Sequence, residues 1–306
     1  MSGNLLILRN RKCAIFVPMN RQTLFEVRRH FVAALQPVYS LREAEQLWRI
    51  LLEDRFGIDR VTALSEPEML LEEEQLRFVE YAENQLNNNI PIQYVLGMAR
   101  FMDLRLKVDG SVLIPRPETE ELVCHILESR CAPPRRIWDI GTGSGCIALA
   151  LKKAFLNAEV YAFDISSQAL MLAQQNAEDN QLKINFIECD ILQPQSDILS
   201  QPVDLVVSNP PYVCQLERAD MLPNVLDWEP EQALFVPDND PLLFYRAILR
   251  HAQPQLTIEG AVWFEINEAM GAAMKRLCAD FGFAAVEVHR DFREKERFLS
   301  CGKSCG

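Results

Sequence analysis

The stretch Ile137-Trp138-Asp139-Ile140-Gly141-Thr142-Gly143-Ser144-Gly145 runs an apolar strand into three alternating glycines, with a helical segment at 147–154 behind it. Glycines let a backbone turn sharply and leave room for a ligand against main-chain N–H groups at a helix N-terminus. Gly141, Thr142, Gly143, Ser144 and Gly145 are therefore the candidate cradle of a nucleotide-like ligand. Asp164 ends the next apolar run about 20 residues on, where a carboxylate accepts hydrogen bonds from ribose hydroxyls. The spacing is G-x-G-x-G and not the dinucleotide G-x-G-x-x-G, so no second phosphate need be held and S-adenosylmethionine fits better than NAD. Asp190 ends a third run, where it either approaches an adenine amine or serves as a turn residue.

Asn209-Pro210-Pro211-Tyr212 follows a further apolar run. Two successive prolines donate no backbone N–H and stiffen the turn, so an amide side chain, backbone carbonyls and an aromatic ring are held in one direction. A planar NH2 on a carbonyl or a heteroaromatic ring is a weak nucleophile, because its lone pair is delocalised. Accepting its two hydrogens on the Asn209 side-chain oxygen and the Pro210 carbonyl, with Tyr212 stacked on its flat face, would aim the nitrogen at a methyl sulfonium. On this reading Asn209, Pro210 and Tyr212 are catalytic, and Pro211 completes the substrate pocket with them. The task needs no metal and no strong base before transfer.

These motifs belong to a chain of 306 residues, 49% hydrophobic and 24% charged, enough for one large or two modest domains. A formal net charge of -12 disfavours broad binding to nucleic-acid phosphates, so no direct nucleic-acid partner is expected. The apolar stretches at 5–8 and 14–17 are interrupted by Arg9, Arg11 and Lys12, and nothing has the length of a signal or membrane segment. Nine cysteines, none in C-x-x-C, read as reduced thiols of a cytoplasmic protein and not as a disulfide framework or a zinc site. His30, His125, His251 and His289 share no ligand spacing, and Glu72-Glu73-Glu74 reads as a solvated face.

The elements that must position the motifs follow from periodicity. Residues 1–18 lack it and read as a disordered extension. Thr23 with Glu26, and Ser40 with Glu43, have capping-box spacing ahead of helical patterns, and Gly57 supplies a left-handed stop. Ser65, Pro67 and Glu68 are expected to open a third helix reaching about Leu86. Residues 19–88 thus read as a helical bundle, 89–110 as a β-hairpin linker turning at Met102-Asp103, and 111–306 as the ligand-binding domain. In that domain β-rich runs at 136–140, 159–165, 184–190, 203–209 and 261–267 alternate with helical segments, predicting a doubly wound, largely parallel α/β sheet. Runs at 284–290 and 297–301 are candidates for a closing hairpin.

With these residues in place, the chain resembles the peptide chain release factor glutamine methyltransferases, the HemK-type family of class I methyltransferases, over about residues 20–302. The resemblance is carried by Pro91-Ile92-Gln93-Tyr94-Val95-Leu96-Gly97, Ile114-Pro115-Arg116-Pro117-Glu118-Thr119-Glu120, the segment 139–145, Asn209 to Tyr212, and Glu229-Pro230 with Ala233-Leu234. It implies a seven-stranded Rossmann-like sheet, S-adenosylmethionine as donor with S-adenosylhomocysteine as product, and a helical N-terminal domain that docks the substrate protein. The implied substrate is the glutamine of the Gly-Gly-Gln motif in class 1 peptide chain release factors. Carried over by position, Gly141 to Gly145 and Asp164 hold the donor, Asn209 contacts donor and substrate, and Pro210 to Tyr212 complete the glutamine pocket. Arg116 is a candidate pocket residue, or alternatively a solvated residue ahead of the helix that Pro117 starts. Ile191 stands at an adenine-contacting position that is often aromatic in the family, leaving the stacking weaker or supplied elsewhere. Asn-Pro-Pro-Tyr is shared with ribosomal-protein glutamine methyltransferases and nucleic-acid adenine-amino methyltransferases, and both activities stay open at this point. A donor-binding adaptor that docks on translation factors is the non-enzymatic alternative.

Overall fold

The computed structural model describes residues 22–129, 132–194 and 197–303, so the extension expected at 1–18 lies outside the described residues. Two units divide between Asn87 and Asn88. The first is helical: α1 (Leu24–Leu35), α2 (Leu41–Leu51), α3 (Arg60–Ser65) and α4 (Glu73–Asn87). Both predicted capping boxes form. Thr23 Oγ1 accepts from Glu26 N at 3.2 Å while Glu26 returns to Thr23 N at 3.0 Å, and Ser40 and Glu43 repeat the exchange. After α2 a single wider turn, Leu52–Phe56, ends at Gly57 with φ 68°, the left-handed stop its glycine predicts. The apolar stripes meet in a core where Phe31 and Trp48 pack with ring centroids 5.3 Å apart.

The third helix differs from expectation. Ser65 ends α3 instead of opening a long helix, because Asp59 caps α3 through Thr62 N at 2.7 Å. Residues 66–71 form a turn closed by Met69 N on Glu66 O and then a single bridge at Leu70, since their backbone is used elsewhere: Pro67 O and Met69 O accept from Phe25 N and Leu24 N, and Leu71 N donates to Gln22 O. These carbonyls satisfy donors that α1 leaves unpaired at its first turn. Only at Glu72, whose N–H meets Gln75 Oε1 at 2.8 Å, does the chain turn helical again.

The second unit starts with a departure of the same kind. Ile92–Leu96, inside the span expected to be a β-hairpin linker, forms one helical turn, α5, between Pro91 and Gly97, whose φ is 68°. The hairpin follows as Met98–Phe101 paired with Leu104–Lys107, turning at Met102 with φ 52°. Residues 89–110 are more than a linker, since Phe101, Leu104 and Leu106 are buried in one core with Leu122, Ile126 and Leu149. That burial assigns the hairpin to the second unit.

The central sheet contains β1 (Arg136–Ile140), β2 (Glu159–Asp164), β3 (Asn185–Glu188), β4 (Val203–Ser208), β5 (Leu256–Glu265), β6 (Ala285–Arg290) and β7 (Glu296–Gly302). Its order is β6-β7-β5-β4-β1-β2-β3, parallel except where β7 pairs antiparallel with β5 and β6. This is a seven-stranded, doubly wound, largely parallel α/β sheet, as the alternation of β-rich and helical runs predicts. Residues alternate between the faces: Leu205 and Val207 join the core under α6 (Pro117–Ser129) and α7 (Cys146–Ala154). Val206 joins the opposite core, with Tyr245 and Ile248 of the helix Leu243–Gln255 and Met274 and Leu277 of the helix Gly271–Asp280. β5 begins five residues earlier than its apolar run, at Leu256, which pairs with Val203 across an irregularity in register. Among the described residues no helix is long and apolar enough to cross a membrane.

The strand order decides where chemistry can sit. β1 and β4 are neighbours although two strands and their helices separate them in sequence, so the chain reverses its winding between them. A crevice opens at such a point beyond the carboxyl ends of the strands. The glycine turn leaves β1 and the Asn-Pro-Pro-Tyr segment leaves β4, and Ser208 Oγ ties the two ends by donating to Ile140 O at 2.6 Å.

Candidate active site

A cleft of about 570 Å³ occupies this crevice, within the size range of small-molecule sites. Every site residue predicted from sequence lines it except Gly145 and Tyr212. Gly141, Gly143 and Gly145 have φ of 74°, 53° and 83°, conformations that only glycine adopts without strain. A Cβ on Gly145 would lie 2.6 Å from Leu149 Cδ1, so this third glycine serves close packing of the turn on α7 and on α8 (Ser167–Asp179) through Ala173. Gly141 and Gly143 have nothing within 4 Å of where a Cβ would stand. Their N–H groups are already used, Gly141 N on Phe163 O at 2.8 Å and Gly143 N on Asp164 Oδ2 at 2.8 Å. At these two positions the turn thus offers a ligand close approach to bare Cα atoms more than free donors.

Asp164 ends β2 with Oδ2 on Gly143 N and Oδ1 accepting from Ser166 N at 3.0 Å. An ionised carboxylate has about four acceptor positions, so ribose hydroxyls can still be accepted. Burial raises its pKa, against the backbone N–H groups of Ser166, Gly143 and Ile165. Asp190 sits further along the rim, its Oδ1 accepting from Leu192 N at 2.9 Å, with Ile191 beside it in the lining. Arg116 lies in the opposite wall, where its Nη2 donates to both carboxylate oxygens of buried Glu229, at 2.8 and 2.7 Å. Burial raises the Glu229 pKa and the Arg116 guanidinium opposes it. Arg116 is therefore a paired wall residue, its side chain 32% exposed, and is not free to clamp a ligand with its whole fork.

Asn209 emerges from β4 into the cleft, and its Nδ2 donates to Thr119 Oγ1 at 3.2 Å. Thr119, in the first turn of α6, donates to Glu265 Oε2 at 2.7 Å, and Tyr212 OH donates to Glu265 Oε1 at 3.0 Å. Tyr212 is thus tied to Glu265, away from the lining where stacking on a substrate amide was expected. Glu265 closes β5 and is 1% exposed. Burial raises its pKa, opposed by the two hydroxyls and Arg297. Tyr245 OH donates to the Glu265 carbonyl at 3.0 Å, fixing the strand end from below.

Thr119, Glu265 and Asp139 are the site residues that motif reading missed. Two of them had a signal: Glu265 and Asp139 are lone carboxylates inside apolar strands, at the carboxyl ends where sheets of this class carry their sites. Asp139 is fully buried, with Oδ2 accepting from Thr142 Oγ1 at 2.6 Å and Ala148 N at 3.1 Å. Burial pushes its carboxyl up to about 7. It holds the glycine turn from behind, while Asn176 of α8 reaches the same turn by donating to Ser144 O at 2.9 Å. Among the described residues no group of three His, Cys, Asp or Glu side chains is placed to hold a metal ion.

Known proteins are similar to this chain. Residues 26–97 match the PrmC N-terminal domain and residues 118–227 the Methyltransferase small domain. A methyltransferase from Pyrococcus furiosus has the same fold at 17% identity and a TM-score of 0.50, over 66% of this chain and 90% of that one. A release factor glutamine methyltransferase of Bacteroides thetaiotaomicron is 40% identical over 285 residues, 93% of this chain and all of its own. Its counterpart from Flavobacterium psychrophilum is 42% identical over 276 residues, 89% of this chain and 96% of that one. With identity at this level sustained across both units, the chain belongs to the release factor glutamine methyltransferase family.

Proposed function

We infer that the chain transfers a methyl group from S-adenosylmethionine to the side-chain amide nitrogen of the glutamine in the Gly-Gly-Gln motif of class 1 peptide chain release factors. S-adenosylhomocysteine is the product. The observation that carries this reading is that the glycine turn with Asp164 and the Asn209-Pro210 pair line one cleft from neighbouring strands. The residues fit the donor: open Cα faces at Gly141 and Gly143 admit it closely, and Asp164 has acceptor capacity left for a ribose. Gly141 to Gly145, Asp164, Asp190 and Ile191 would hold it, with Asn209 at the boundary between donor and substrate.

Bound there, S-adenosylmethionine supplies an electrophilic methyl on a sulfonium. This chain's part is to orient a poor nucleophile. The Asn209 side-chain oxygen and the Pro210 carbonyl accept the two amide hydrogens of the glutamine, and Pro211 and Arg116 shape the pocket around it. Tyr212 acts from behind through Glu265. As the nitrogen lone pair leaves conjugation its hydrogens become more positive, and the acceptors bind them more strongly than in the ground state. The nitrogen gains the methyl and then releases one proton, made acidic by alkylation, to water.

Family membership supports the release factor as substrate, and the helical unit is the element we assign to docking it. The net charge of -12 favours a protein partner without direct nucleic-acid contact, and nine cysteines without C-x-x-C, with no apolar segment of membrane length, favour the cytoplasm and a place off the membrane. Radiolabelled methyl transfer to purified release factor, ribosomal protein and unmethylated DNA tests the choice. Label on the release factor alone is expected, whereas label on DNA would favour the adenine-amino reading.

A further inference from the structure

We propose that Thr119 and Glu265 are positioning residues that fix the direction of the Asn209 amide, so that its carbonyl oxygen and not its NH2 faces the substrate. The inference rests on the reading of Asn209 as the acceptor of the glutamine hydrogens. It comes from counting protons along the run Asn209, Thr119, Glu265. A threonine hydroxyl has a single proton. Glu265 Oε2 takes that proton at 2.7 Å, and Tyr212 OH occupies the other oxygen at 3.0 Å. Both Glu265 oxygens accept in this arrangement, so the Thr119 hydroxyl spends its one proton there and has none for Asn209. On that side it can only accept, and Asn209 must answer with an N–H, which Nδ2 does at 3.2 Å. The two ends of an amide diverge from one carbon, so committing Nδ2 to Thr119 leaves Oδ1 as the polar atom for the cleft. Among the described residues no donor is bonded to Oδ1.

The polarity of the run thus originates in a buried carboxyl group two hydrogen bonds from the side chain that touches substrate. Three elements supply it: the end of β4, the first turn of α6 and the end of β5. Reversing it would put an NH2 against the NH2 of the substrate, two donors with no acceptor between them. Glu265→Gln allows that reversal. Its amide can donate to Thr119 Oγ1, freeing the hydroxyl proton to bond Asn209 Oδ1 and turn the side chain over. Thr119→Val removes the relay while keeping the shape, and Thr119→Ser keeps the hydroxyl.

The test uses the full chain with S-adenosylmethionine and intact release factor, and reads two quantities. The first is turnover: Thr119→Val and Glu265→Gln should lower kcat on the order of tenfold to hundredfold, as expected when a reacting group is misplaced. KM for release factor and affinity for S-adenosylhomocysteine should stay close to wild type, and Thr119→Ser should recover most of the lost turnover. The second is the side-chain NH2 signal of Asn209 in 15N-labelled protein, identified by its loss in Asn209→Asp. It should be protected from exchange in the wild type and Thr119→Ser, and shifted and unprotected in Thr119→Val. Wild-type turnover in Thr119→Val, or a Thr119→Ser as slow as Thr119→Val, would overturn the proposal, as would an Asn209 signal indifferent to Thr119. A wild-type protein that methylates no release factor would instead refute the assigned substrate, while the NH2 signal still decides the relay.

Discussion

At the scale of single residues the proposed mechanism places the heaviest demand on Asn209, whose oxygen is to bind the substrate hydrogens more strongly as the nitrogen turns nucleophilic. Asn209→Ala should therefore lower the single-turnover rate on the order of a hundredfold to a thousandfold, the loss seen for one preorganised hydrogen-bonding group. Donor affinity should change little, which calorimetry with S-adenosylhomocysteine would check. Near wild-type transfer would refute the mechanism. Asp139 makes a different prediction. A carboxyl in the unfolded chain ionises near 3.8, whereas burial pushes Asp139 up to about 7 in the fold. Between those values the folded chain holds a proton the unfolded chain has released, so this group makes stability fall as pH rises to about 7 and level off above. Asp139→Asn keeps an acceptor for Thr142 and Ala148 and removes the titration. Urea unfolding at pH 5 and pH 7 should show the wild type losing more stability than the variant, by up to about 1.4 kcal/mol per pH unit. Equal slopes would contradict it. The residues that line this cleft were legible in sequence because glycine spacing and prolines constrain the backbone locally. The link between Thr119 and Glu265 was not, since it is a hydrogen bond across 146 residues of sequence. The bond from Tyr212 to Glu265 was hidden for the same reason.

At the scale of elements, what could be read was what is decided within a few residues. Both capping boxes, the stop at Gly57 and most strands of the sheet fall where local chemistry put them. The segment 66–72 was misread because its carbonyls serve α1, a tertiary use that composition does not record. The start of β5 was missed because Thr257, Glu259 and Gly260 interrupt the apolar run, although Leu256 pairs with Val203. The hairpin shows how an apparent linker becomes part of the site's support. Asn176, fully buried on α8, accepts from Lys107 N at 2.6 Å and donates to Lys107 O at 3.0 Å as well as to Ser144 O. One side chain so joins the hairpin, α8 and the glycine turn. Asn176→Ala would leave buried groups unpaired, each costing about 1–3 kcal/mol. Thermal unfolding should drop by several degrees, at roughly 2–4 °C per kcal/mol, together with weaker binding of S-adenosylhomocysteine. A variant with unchanged Tm and affinity would show that the three elements hold without it.

For the whole molecule, the account separates where the chemistry is done from what brings the substrate to it. All residues lining the cleft come from position 110 onward, and the second unit starts at Asn88. A chain of residues 88–306 should therefore bind S-adenosylhomocysteine like the full protein, while its catalytic efficiency on intact release factor falls at least on the order of tenfold, because remote docking contacts help orient the target loop. A cut at residue 111 should unfold, since it removes Phe101, Leu104 and Leu106 from the core. Equal efficiency of residues 88–306 and the full chain would rule out a docking role for the helical unit. The most direct measurement is peptide mass spectrometry of a class 1 release factor after incubation with the protein and S-adenosylmethionine. The account predicts the mass increment of a single methyl group, confined to the Gly-Gly-Gln glutamine and absent with Asn209→Ala. A release factor left unmodified, or methylated at another residue, would contradict it.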